Sequence, residues 1–86
     1  MAAESRETRL KRLRLRAWRR GTREADLLLG GFADGALDGL DKAGLDGFEA
    51  LLAENDHDIL AWITGLAAAP PQHEGILRAI AARHRG

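Results

Sequence analysis

An all-α fold of four or five short helices joined by tight turns is what this sequence predicts, and three observations carry the prediction. Apolar residues recur three and four positions apart, the spacing that builds one helix face. No stretch alternates apolar and polar residues as a half-buried strand does. Only two prolines, Pro70 and Pro71, interrupt the chain. At 86 residues a single domain is expected, with an ordered core over residues 6–82 and frayed ends at 1–5 and 82–86.

The first helix is expected within residues 5–19, which contain no Gly or Pro and many good helix formers. Leu10, Leu13 and Ala17, with Trp18 beside them, make one narrow apolar stripe, and the other face is arginine. Gly21 is the expected stop, because glycine takes the left-handed conformation at no steric cost. Thr22 can cap a second helix running to about Leu40, with Leu29, Phe32, Ala33, Ala36, Leu37 and Leu40 on its apolar face. Gly30, Gly31, Gly35 and Gly39 each weaken it by up to about 1 kcal/mol relative to alanine, so a kink or break is expected near Gly30–Gly31.

Asp41 is a good cap for a third helix through Ala53, whose stripe is Leu45, Phe48, Leu51 and Leu52. Asn55-Asp56 breaks it, and Asp56 can cap a short fourth helix carrying Ile59, Leu60, Trp62 and Ile63 and closed by Gly65. After a connector over Ala67–Pro71, Pro71 suits the first turn of a last helix with Ile76, Leu77 and Ile80 on its stripe.

Composition removes several function classes. The absence of cysteine excludes a disulfide scaffold, a thiolate nucleophile and Cys-ligated metal. No apolar run approaches 18 residues, so no membrane span is expected. The basic N-terminus holds Glu4 and Glu7 and lacks the apolar core of a secretory signal. A domain of this size buries only about 60–65 % of its unfolded surface, which leaves little room for an enclosed active site. A partner-binding module is the expectation, and an enzyme is not.

The net charge of zero hides strong segregation. Residues 1–24 hold nine Arg/Lys against three acids, residues 25–60 nine acids against Lys42 alone, and residues 61–86 three arginines against Glu74. Two readings stay open here. The basic first helix can pack near the acidic middle and be compensated by it, or the dipolar field can steer a partner. A nucleic-acid-binding module using the arginine-rich first helix is the alternative function, opposed by an acidic middle that would repel a polyanion.

Few residues support catalysis. His57, His73 and His84 lie 16 and 11 positions apart, far from metal-site spacing. Asp56-x-Asp58 lacks the glycine and the final acid of a calcium loop, with Ala61 and Ala67 in those places. Gly30-Gly31 follows no strand and is not a phosphate cradle. Trp62 reads as core, and Trp18 as core or as a contact at the edge of the basic face. The stretch from Arg19 through Arg20, Gly21, Thr22, Arg23, Glu24 and Ala25 to Asp26 is the most informative. Glu24 and Asp26 fall in the first turns of a helix, where the dipole favours carboxylates, and an Arg20–Glu24 surface pair would be routine. Alternatively, Gly21 admits a partner's backbone while the flanking Arg and Glu make charge-assisted hydrogen bonds to it.

Arg20-Gly21-x-x-Glu24 resembles the RGxxE motif of the SdhE family, the FAD assembly factors of succinate dehydrogenase. The resemblance extends through Asp26, Leu27-Leu28-Leu29 and Phe32, then Leu45-Asp46-x-Phe48-Glu49-x-Leu51-Leu52, then Asp56-x-Asp58-Ile59-x-x-Trp62, covering about residues 9–65 in the family's order. It implies a compact five-helix bundle that binds the flavoprotein subunit of succinate dehydrogenase, and in some bacteria that of fumarate reductase. Binding would promote covalent attachment of FAD to a histidine of that subunit, with the flavin chemistry carried by the subunit's own residues. The factor would hold no cofactor stably and would be a monomeric chaperone with neither nucleic acid nor membrane as partner; the bacterial cytoplasm is the simplest location, and a processed mitochondrial protein is the alternative. The resemblance assigns Arg20, Gly21 and Glu24 to the flavoprotein interface, with Arg19 and Asp26 flanking. It makes Phe32, Phe48, Leu52 and Trp62 core positions. Thr22 and Gly44 depart from the family pattern, where a larger residue and a glutamate are common.

Overall fold

Short polar side chains start four of the five helices. The computed structural model describes residues 3–85. Ser5 caps α1 (Arg6–Ala17), Thr22 caps α2 (Arg23–Ala36), Asp41 caps α3 (Lys42–Leu52) and Asn55 caps α4 (Asp56–Thr64). Each cap oxygen accepts a backbone N–H three residues on, at 3.1, 3.3, 2.8 and 2.9 Å respectively. A 3₁₀ turn at Pro71–His73 leads into α5 (Glu74–Arg85). Met1, Ala2 and Gly86, the outermost parts of the two ends expected to fray, lie outside the described residues. The rest of the C-terminal end is helical through Arg85.

The five helices agree with expectation, and four local details correct it. The second helix stops at Ala36 and tightens into a 3₁₀ turn over Leu37–Gly39, short of Leu40. It is also continuous through Gly30–Gly31. Trp18 explains the continuity: its indole lies directly over Gly30, in the space a Cβ would need, and its Nε1 donates to Asp34 Oδ1 at 3.1 Å. The first helix ends at Ala17, before Gly21, because the Trp18 and Arg19 N–H groups fall back on carbonyls three residues earlier. Asn55 caps the fourth helix in place of Asp56, and Gly65 closes it with φ +82°, where glycine alone is unstrained.

α5 packs against α2, α3 and α4, and α1 lies across α2 and α3. Their apolar stripes meet in one cluster that includes Leu13, Leu29, Phe48, Leu51, Ile59 and Ile80. Phe32 and Phe48 pack with their rings tilted by 35° at a centroid distance of 5.5 Å. Phe32, Phe48 and Leu52 are buried as expected, while Trp62 is half-buried at the margin, 5.6 Å from the His73 ring. The radius of gyration, 12.4 Å, is close to the value of about 12 Å for a compact chain of this length.

Candidate functional site

The corner between α1 and α2 carries the expected site residues, and the structure divides them into two groups. Arg20 turns inward. Its guanidinium donates to Asp56 Oδ1 at 2.8 Å, to the Leu52 carbonyl at 2.5 Å and to the Glu54 carbonyl at 2.6 Å. The last carbonyls of α3 have no partner within their own helix, and Arg20 supplies one. Its side chain is only 12 % exposed, so this is a nearly buried, charge-assisted clamp. The Arg20 backbone N–H is held in turn by Asp26 Oδ1 at 2.7 Å. Arg20 thus pairs with Asp56, 36 residues away, and not with Glu24 as the routine surface reading would have it.

Gly21, Glu24, Arg19 and Arg23 form the outward group. Gly21 has φ +104° and an open surface, with nothing within 4 Å of where a Cβ would stand. Glu24 and Arg19 are exposed and have no hydrogen-bond or ion-pair partner among the described residues. Glu24 also borders an apolar hollow between α2, α4 and α5. Arg20 and Asp26 thus fix the loop, and Gly21 and Glu24 are what the loop presents.

Three residues of this site were not picked out as such by sequence reasoning: Asp56, Glu54 and His73. His73 is buried and its Nε2 lies 2.8 Å from Glu54 Oε2, which ties the turn before α5 to the same α3–α4 corner that Arg20 clamps. Pairings across 19 and 36 residues leave no spacing signature. Leu27, by contrast, had a signal. Three consecutive leucines on one helix exceed what a single face can bury, and Leu27 is 54 % exposed.

The charge segregation resolves into compensation. Arg9 donates to Asp46 at 2.7 Å and to Glu49 at 3.0 Å, Arg12 reaches Glu4 and Glu49, and Arg14 pairs with Asp38 at 3.1 Å. The hydrogen bond from Arg12 holds the Glu49 and Glu4 carboxyls below the usual carboxylate range, and that from Arg9 does so for Asp46. Several guanidinium groups that the nucleic-acid alternative needs for phosphates are thereby already engaged by carboxylates.

Among the described residues, no group of three or more His, Asp or Glu is placed to hold a metal ion, and no helix is long and apolar enough to cross a membrane. An outward glycine corner, an exposed carboxylate with no hydrogen-bond or ion-pair partner among the described residues and an apolar hollow beside them lie together on this small helical module. The profile of a family described as "Flavinator of succinate dehydrogenase" matches residues 11–84, and the chain belongs to that family. It is 48 % identical over 62 residues to "Succinate dehydrogenase assembly factor 2, mitochondrial" of Mycosarcoma maydis, covering 72 % of this chain and 26 % of that protein. It is 40 % identical over 67 residues to the Schizosaccharomyces pombe protein of the same name, covering 78 % and 48 %. It is 32 % identical over 72 residues to "FAD assembly factor SdhE" of Acetobacter pasteurianus, covering 84 % and 66 %. The chain thus spans less than two thirds of each of these relatives.

Proposed function

We infer that this chain is an assembly factor for succinate dehydrogenase: it binds the flavoprotein subunit and promotes covalent attachment of FAD. The carrying observation is the RGxxE corner itself, whose Arg20 is consumed in holding the loop while Gly21 and Glu24 face outward without partners among the described residues. Family membership and the names of the relatives support the same reading. The factor stabilises one conformer of its client by binding it better than the alternatives, and the linkage chemistry stays with the client's own residues. The flavoprotein of fumarate reductase, similar in chemistry, is a second client. The factor works as a monomer in the bacterial cytoplasm.

The test is direct. The succinate dehydrogenase flavoprotein subunit is co-expressed with and without this chain in cells lacking their own factor, and covalent flavin is read by in-gel fluorescence. Fluorescence should depend on the chain and should be lost with Glu24→Ala or Gly21→Arg. Equal fluorescence in its absence would refute the function.

A further inference from the structure

Gly30 and Gly31 sit side by side in the middle of α2, where glycine weakens a helix relative to alanine. Internal packing accounts for Gly30, which Trp18 covers, and for Gly35, which the Arg83 guanidinium covers. It does not account for Gly31, where a Cβ would meet nothing within 4 Å; the same holds at Gly47 in α3 and Gly75 in α5, but Gly31 also lines a hollow. Gly31 faces a hollow of about 260 Å³ between α2 and α5. That hollow shares Leu27, Leu28 and His84 with the larger one, of about 420 Å³, beside Glu24. Together they form one groove, walled chiefly by Leu27, Leu28, Leu60 and Ile63.

The groove has a charge at each end. Glu24 stands at one and Arg83 at the other, and neither has an ion-pair partner among the described residues. From Glu24 to Gly35, where Arg83 lies, α2 rises about 16 Å, or three helical turns. An occupant that fits is about three turns long and apolar on one face, with a base at one end and an acid at the other. A symmetric dimer through this face fits poorly, since it would set a hollow against a hollow. The groove is also continuous with the docking corner, because Glu24 belongs to both.

The geometry points to this groove as the seat of a short amphipathic helix of the flavoprotein subunit, with apolar side chains over Leu27 and Gly31 and a basic residue against Glu24. The inference rests on the docking reading given above. It makes Gly31 the opening that lets the partner's backbone approach α2, in the mode of a helix laid into a groove.

The test uses the full chain and the purified flavoprotein subunit of succinate dehydrogenase before flavin attachment, with binding read by calorimetry. Gly31→Leu fills the groove while favouring helix, so the free chain should melt no lower than the unaltered one and bind at least tenfold more weakly. Leu27→Asp, at a half-exposed position, should weaken binding similarly and covers the case in which Gly31→Leu fails to fold. Leu15→Asp, equally exposed but on α1, should bind as the unaltered chain does. Normal binding by both groove variants, alongside loss with Glu24→Ala, overturns the groove and leaves the docking reading standing. Equal losses for Leu27→Asp and Leu15→Asp overturn it too. So does a dimer of the free chain that Gly31→Leu dissociates, or binding of FAD alone that Gly31→Leu abolishes. Failure of the unaltered chain to bind removes the docking reading and this inference with it.

Discussion

Arg20 and Glu24 belong to one motif and do different physical work. Arg20 satisfies the carbonyl of Leu52 at the end of α3 and that of Glu54 in the turn after it, and pairs with Asp56, whose side chain is 16 % exposed, so its loss leaves three part-buried groups without this donor. Arg20→Ala should cost about 2–4 kcal/mol by urea denaturation. Arg20→Lys should recover little, because an ammonium lacks the planar fork that reaches all three acceptors. Glu24→Ala, at an exposed position with no hydrogen-bond or ion-pair partner among the described residues, should change stability by no more than about 0.5 kcal/mol and still abolish flavoprotein binding. Were Glu24→Ala to destabilise the chain as much as Arg20→Ala, this division of roles would be wrong. The sequence shows the motif but not the division. Asp56 looks like an ordinary helix-start acid, and only the fold brings it under Arg20.

At the scale of the helices, the caps Thr22, Asp41 and the glycine stop at Gly65 were legible because each is a local choice between a side-chain oxygen, or a missing Cβ, and the adjacent turn. The expected kink at Gly30–Gly31 was misread for the opposite reason. A run of glycines looks weak in one dimension, while in the bundle Gly30 is the flat place on which Trp18 rests. Helix propensity and packing therefore make opposing demands at Gly30 and none at Gly47, where an added Cβ meets nothing within 4 Å. Gly47→Ala should stabilise α3 by about 0.5–1 kcal/mol. Gly30→Ala should destabilise by about 1–3 kcal/mol, because a rigid indole must move and its bond to Asp34 is broken. Thermal melts of the two variants should thus shift in opposite directions; an upward shift for Gly30→Ala would mean that Trp18 does not seat on α2.

Across the whole molecule, the arginine face of α1 is joined to the acids of α3 through Arg9, Arg12 and Glu49, and this sets how the fold responds to acid. The Glu49, Glu4 and Asp46 carboxyls are held below their ordinary values by hydrogen bonds from those arginines. A carboxyl whose value is lowered by folding contributes stability that is complete above its unfolded value, about 4.3 for Glu and 3.9 for Asp. That contribution is lost as the pH falls through the lower folded values, because the unfolded chain then binds more protons than the folded one. The contribution of these three carboxyls should therefore be complete down to about pH 4.5 and fall steadily below it, measured as the urea midpoint at each pH. Glu49→Gln should remove part of that acid slope and lower the neutral-pH stability by roughly 0.5–1 kcal/mol, the scale of an exposed ion-pair network. Salt should act on the same contacts, since screening shortens to about 3 Å at 1 M. An acid limb that Glu49→Gln leaves unchanged would show that α1 is held by its apolar stripe, through Leu13 and Ala17, with its charges contributing nothing measurable.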